Sequence, residues 1–388
     1  MKKRFLFLTV CSAVLNFTTS ILMQGQSAFS ASLTPTPLII DDDGSQDGLA
    51  ALAYLLTSPK FDIKAITMSH GVARPENPGF QTGLKRMMGY LDITDIPVGI
   101  GRSLPLEGTN AFPAFIRNDA DKFYAPFVTL PEEVPEIEFK SAAQLIVDTI
   151  KNSPEPVAIF SAGSMTNIAE ALRIDPTIIS NIAVLQIMGG AIYTPGNLGV
   201  IPEPPFSTNM VAEFNIWLDP VASKEVFDAG NNGLKIQLTP LDATNKIAFT
   251  RADYQAWLAA GTPESTLAAQ LLDFSLVVVG GDVNPNPLWD MVAAINLNEP
   301  DFSPETPLAL EVDVASAPGD TQGQLRVIPN SPPNVLVSFD PSFNNLSFKS
   351  TELFFSQSAA VPEPATMLGA LTAAGVLLAR RRKQPDRK

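Results

Sequence analysis

Short apolar runs rich in Ile, Val and Leu alternate along this chain with stretches whose apolar residues recur every three or four positions. The short runs predict strands over 37–40, 63–68, 96–101, 156–161, 182–188 and 234–238. The periodic stretches predict helices over 49–56, 83–91, 141–151, 166–174, 221–229 and 291–295. In 141–151, for example, Ala142, Leu145, Ile146 and Ile150 share one face. Ser164 or Thr166 is the expected cap of the helix over 166–174. Such alternation predicts an α/β fold: a mostly parallel mixed sheet with helices on both faces, around a Rossmann-like core. After about Asp301 the period shortens to two, and segments near 308–314, 324–328 and 334–338 predict antiparallel strands appended to that sheet. Two segments, 105–135 and 194–209, read as loops, the second because of Pro195, Pro202, Pro204 and Pro205.

Both ends depart from this pattern. A basic start, Met1-Lys2-Lys3-Arg4, an apolar stretch from Phe5 and the small-x-small Ala28-Phe29-Ser30 predict a secretory signal peptide over 1–30. At the other end, Val361-Pro362-Glu363-Pro364 precedes an apolar run from Met367 to Ala379 and the cluster Arg380-Arg381-Arg382-Lys383. The run is shorter than the roughly 20 residues that span a bilayer. Motif, run and basic cluster over 361–383 resemble the PEP-CTERM sorting signal, a transient transmembrane segment. That resemblance implies removal by an exosortase-like enzyme after export, leaving the protein in the periplasm, on the outer surface or in the extracellular matrix. One domain is expected over 32–357. Cys11, the only cysteine, falls in the signal, so the exported domain has neither disulfides nor a thiol nucleophile.

Charge narrows the partners. The chain carries 26 basic and 40 acidic residues. Removing 1–30 and everything from Val361 onward leaves 17 against 38, or about −21. A domain this acidic repels nucleic acid polymers, and no glycine-rich phosphate cradle is evident.

The candidate chemistry is concentrated in Asp41-Asp42-Asp43-Gly44-Ser45-Gln46-Asp47-Gly48, between the first strand and the first helix. Open α/β sheets bind ligands at the carboxyl ends of strands. Four carboxylates within seven positions are costly there unless a cation neutralises them. An all-oxygen set suits calcium or magnesium.

Four further segments follow in order: Ser161-Ala162-Gly163-Ser164-Met165-Thr166-Asn167, Ile187-Met188-Gly189-Gly190, Ala212-Glu213-Phe214-Asn215 and Pro287-Leu288-Trp289-Asp290. With the acidic turn they resemble the inosine-uridine-preferring nucleoside hydrolase family over about 37–354. The resemblance implies cleavage of the N-glycosidic bond of ribonucleosides by water, with one Ca2+, commonly in a homo-oligomer. It implies that Asp43 binds calcium and takes the proton from the water, that Asp41 supports the metal site, and that Ala162 (through its carbonyl) and Asp290 complete the calcium shell. It further implies that Asp47, Glu213, Asn215 and Asn197 hold the ribose.

Two positions depart from the family pattern. Gly48 stands where members carry a second adjacent aspartate, a calcium ligand. Asp42 is an extra acid, but strand alternation is expected to turn it away from Asp41 and Asp43. Trp289 stands where many members have a histidine that protonates the leaving base, and indole is no acid near neutral pH. The sole histidine, His70, follows the second strand. These departures keep a second reading open: a nucleoside- or sugar-binding surface protein of weakened turnover, or a hydrolase of another N-ribosyl compound. With Gly48 as the only change, calcium is expected to bind more weakly than to the full aspartate pair. Calorimetric titration of calcium-stripped protein checks this, and absence of heat at millimolar calcium contradicts it.

Overall fold

The computed structural model describes residues 34–280, 287–314 and 321–341; the expected signal peptide over 1–30 and the expected sorting segment over 361–383 lie outside them. Strand β1 (Thr36–Asp42) is the pivot. Its neighbours are β2 (Phe61–Met68) and, later in the chain, the strand over 157–162, both parallel to it. Between β1 and β2 runs α1 (Gln46–Leu56), capped by Ser45, whose side chain accepts from Gly48 N. Helix α2 (Pro78–Tyr90) starts from an Asn77 cap with proline at its first position. Then come β3 (Val98–Ile100), α3 (Ala114–Ala120), β4 (Phe139–Ser141), α4 (Ala142–Asn152), β5 (Val157–Ala162), α5 (Thr166–Ile174) and β6 (Ile182–Met188). Short α6 (Phe214–Leu218) and α7 (Pro220–Gly230) lead to β7 (Ile236–Thr239). Next are α8 (Leu241–Thr244), α9 (Arg251–Ala260), α10 (Pro263–Phe274) and α11 (Trp289–Asn298). The chain ends in β8 (Glu305–Leu308), β9 (Leu310–Val312), β10 (Leu325–Val327) and β11 (Val335–Ser338).

The main sheet runs β4-β3-β2-β1-β5-β6-β7-β11-β8 and is parallel except for β8. This is the expected mixed α/β architecture. The C-terminal strands divide differently from the expectation. β11 is parallel to β7, because the chain crosses back before entering the sheet, and only β8 is antiparallel there. β9 and β10 form a separate antiparallel pair.

Strand alternation divides the interior into two cores. Leu38 and Ile40 pack with Leu49 and Leu52 of α1, Leu271 of α10 and Val292 of α11. Ile39 faces the other way, with Ala65, Ile146, Ile159, Ile168 and Val226. Helix α1 is buried along almost its whole length because α10 and α11 cover its outer side. Helices α9 and α10 follow capping boxes at Thr250 and Thr262; their weak amphipathic pattern hid them from sequence. The segment 105–135 contains α3, a helix in an expected loop. The proline-rich 194–209 is a loop, but it has its own small core of Leu198, Ile201, Phe206, Phe214 and Trp217. Among the described residues no helix is long and apolar enough to cross a membrane.

Leu52 is fully buried between sheet and covering helices. Leu52→Ala should therefore cost about 2–5 kcal/mol, read as a lower urea midpoint at unchanged slope.

Candidate functional site

The carboxyl ends of β1, β2, β5 and β6 open on one side of the sheet, and the site is built there from side chains that alternation and short turns deliver. Asp41 continues the face of Ile39. Its Oδ1 accepts from Thr67 Oγ1 at 2.6 Å and from Asn167 Nδ2 at 2.8 Å. Burial, partly offset by those donors, raises its pKa to about 7. Asp41 is thus clamped on the far face of β1, and its named partners are polar neighbours rather than the other acids.

Asp42 continues the face of Ile40, toward α1, and so turns away from Asp41 as expected, but not from Asp43. The strand ends at Asp42, so alternation no longer separates it from Asp43. Its side chain is fully buried, and its pKa lies well above the usual carboxylate range, first through burial and then through the charge of Asp43. Asp47 and Asp41 add to that repulsion. Its Oδ1 accepts from Gly44 N at 2.7 Å, and Gly44 takes the left-handed φ of 77° that the turn demands.

Asp43 stands at the apex of the turn. Its Oδ1 accepts from Ser45 N at 3.0 Å and its Oδ2 from Val72 N at 3.0 Å. Burial raises its pKa to about 7, with Asp47 and Glu213 adding to the rise. Two glycines press on it: a Cβ at Gly71 would lie 2.1 Å from Asp43 Oδ2, and one at Gly163 would lie 2.7 Å from Asp43 Cβ. Tyr124 donates its hydroxyl to the Gly44 carbonyl and closes the turn from outside. Sequence pattern assigned Gly71 and Tyr124 no role, because their roles depend on proximity in the fold.

The distant residues arrive at the same place. Asp290, at the start of α11, donates its N–H to Asp47 Oδ2 at 3.3 Å, and its Oδ2 accepts from Ser45 Oγ at 3.0 Å. Burial and the charges of Asp47, Asp42 and Asp43 hold its pKa well above the usual range. Asp47 is raised too, first by burial. Ala162 ends β5 beside Asp42 in register. Glu213 caps α6, accepting from Asn215 N at 2.9 Å and Gly190 N at 2.9 Å. Its pKa rises to about 7 through burial, with a smaller contribution from Asp47. Asn215 donates to the Met188 carbonyl at 3.1 Å, and Asn197 Oδ1 accepts from Phe214 N at 3.0 Å. Asn197 and Glu213 therefore meet at the start of α6, despite the long loop between them.

Neither Trp289 nor His70 is set to protonate a leaving base. The Trp289 indole N–H donates to Asn245 Oδ1 at 3.0 Å. His70 is buried beside the turn, and burial, reinforced by Arg117 and Arg102, lowers its pKa to about 3, so it is neutral at physiological pH.

Nearby arginines are engaged elsewhere, Arg74 with Asp121 and Arg102 with Glu170 at 3.3 Å. Arg117 on α3 lies within electrostatic reach of Asp43. Among the described residues no three His, Cys, Asp or Glu side chains form a ready-made metal cage. Without a counter-charge, like carboxylates settle on N–H and O–H donors rather than on one another. The donor set nonetheless fits a hard cation: it is all oxygen, and Asp41 Oδ2 and Asp42 Oδ2 are buried with no hydrogen-bond partner.

Comparison with known proteins bears on the family and the fold. A model described as inosine-uridine preferring nucleoside hydrolase matches residues 38–345. The pyrimidine-specific ribonucleoside hydrolase RihA of Escherichia coli O1:K1 is 33% identical over 262 residues, covering 66% of this chain and 75% of the relative. RihA of Escherichia fergusonii is 34% identical over 258 residues with the same coverage. A purine-preferring ribonucleoside hydrolase from Gardnerella vaginalis superposes with a TM-score of 0.68 at 24% identity, covering 83% of this chain and 97% of that one. An inosine-uridine preferring hydrolase from Bacillus anthracis gives 0.65 at 22% identity, covering 79% and 94%. The structural likenesses carry the fold.

Carboxylates whose folded pKa is raised stabilise the fold below their ordinary values and lose that contribution as pH climbs through the folded value. For Asp41, Asp43 and Glu213 the window runs from about 4 to about 7. The Tm of calcium-free protein should therefore fall between pH 5 and pH 8, by more than that of calcium-saturated protein. A flat or rising calcium-free Tm contradicts this assignment.

Proposed function

We propose a mechanism from one premise: this chain belongs to the inosine-uridine preferring nucleoside hydrolase family. It is a ribonucleoside N-glycosidic hydrolase, and the proposal concerns how its own residues carry out that reaction. Calcium held by Asp43, Asp290 and the Ala162 carbonyl, with Asp41 in support, would supply a charge that orients ribose hydroxyls and makes a water more acidic. A positive charge at that point would also return the raised carboxylates to their ionised forms.

Asp43 then takes the proton of the attacking water. The water oxygen bonds to the anomeric carbon, the bond from that carbon to the base nitrogen breaks, and its electron pair leaves with the base. Asp47, Glu213, Asn215 and Asn197 hold the ribose. Their position beside the turn, with the surrounding negative field, stabilises the oxocarbenium-like transition state. The observation that carries this reading is the collection of Asp43, Asp47, Glu213 and Asp290, from three distant parts of the chain, into one buried cluster.

One observation favours a second reading, a nucleoside-binding protein of weakened turnover. The Trp289 indole is tied to Asn245 and His70 is neutral, so neither offers a strong acid to the departing base.

The export reading rests on residues 1–30 and 361–383 alone. On it, the signal is removed during secretion, an exosortase-like enzyme removes the tail, and the protein salvages nucleosides outside the cytoplasm. Assembly as a homo-oligomer rests on the family resemblance.

The protein is incubated with inosine, uridine and an activated aryl riboside, with and without chelator, and ribose is measured. Chelator should stop release and calcium should restore it. Asp43→Ala should lower kcat by about 10²–10⁴-fold. Binding without ribose release supports the second reading, and full activity of Asp43→Ala overturns the assignment of the base.

A further inference from the structure

Gly48 lies in the first turn of α1 with helical backbone, so no unusual φ requires glycine there. Space does. A Cβ at this position would lie 2.0 Å from Asp42 Oδ2, 2.9 Å from Asp42 Cγ and 2.7 Å from Ser45 Oγ. The Asp42 carboxylate therefore fills the volume that a side chain on residue 48 would enter.

That carboxylate is placed at a cost. Asp42 is 0% exposed. Its Oδ1 is satisfied by Gly44 N, whereas its Oδ2 is buried with no partner. The turn itself needs only Oδ1, and a neutral asparagine would accept the same bond. A charged group with one orphaned oxygen, set among other buried acids, is expensive unless something at that oxygen compensates. The orphaned oxygen shares its space with Ser45 Oγ, the group that holds Asp290. It therefore faces the part of the cluster where Asp43, Asp47 and Asp290 gather.

We infer that Asp42 Oδ2 is a calcium ligand in this chain, and that residue 48 is glycine because the Asp42 carboxylate occupies the place of its side chain. The inference rests on the calcium reading of the site and deepens it. The carboxylate missing from position 48 is supplied from the neighbouring strand end, so the number of acids around the cation is kept.

Calorimetric titration of calcium into the stripped full-length chain tests this, with the Tm of each calcium-free protein as a control for folding. Asp42→Asn keeps the bond to Gly44 and removes the charge. It should stay folded, with a calcium-free Tm at or above that of the parent near pH 7.5, and bind calcium at least about tenfold more weakly. Gly48→Ala pushes a methyl into the carboxylate and should weaken calcium binding in the same direction; it decides the matter if Asp42→Asn does not fold. Calcium affinity of the deciding variant within about twofold of the parent overturns the role of Asp42 alone. A parent chain that takes up no calcium overturns the calcium reading and this inference with it.

Discussion

Several carboxylates are buried together at the carboxyl end of one central strand, and the architecture around them follows from that constraint. Asp42, Asp43, Asp47 and Asp290 repel one another in a buried, weakly screening setting. A fold tolerates this only with strong local restraint and a counter-charge when it works. The restraint is visible: Ser45 caps α1 and holds Asp290, Val72 and Ser45 N–H groups hold Asp43, and Thr67 with Asn167 hold Asp41. The two hydrophobic cores on either side of β1 keep the strand end from yielding.

This arrangement links fold to chemistry. A parallel sheet delivers several strand ends to one edge, and the helix after each strand begins there with free N–H groups. Asp43 and Glu213 both use such N–H groups. A buried acid that a nearby positive charge keeps ionised can accept a proton from water near neutral pH. The same burial that makes the cluster costly thus makes its members chemically useful.

Much of this was legible in the sequence. The strand-helix alternation predicts the main sheet, and the order of the five segments predicts that Asp43, Asp47, Glu213 and Asp290 converge. Other features were hidden for identifiable reasons. Helices α9 and α10 have weak periodicity, because tertiary packing rather than a sharp apolar stripe fixes them. β4 has three residues and no pattern of its own. The parallel pairing of β11 depends on where the chain crosses, which alternation within the strand cannot reveal. Asp42 turns away from Asp41 as alternation requires, but not from Asp43, because β1 ends at Asp42 and alternation holds only inside a strand. Gly48 looked like a lost ligand; in three dimensions it is the space that the Asp42 side chain takes.

The central claim is that these acids are gathered to hold a cation beside Asp43. A crystal structure of the chain grown with calcium, recorded at a wavelength where calcium scatters anomalously, tests it most directly. The account predicts an anomalous peak within coordination distance of Asp43, Asp290 and Asp42 oxygens and the Ala162 carbonyl. A structure grown in millimolar calcium with no peak at the turn, or with the peak elsewhere and the carboxylates still on their N–H donors, would contradict it.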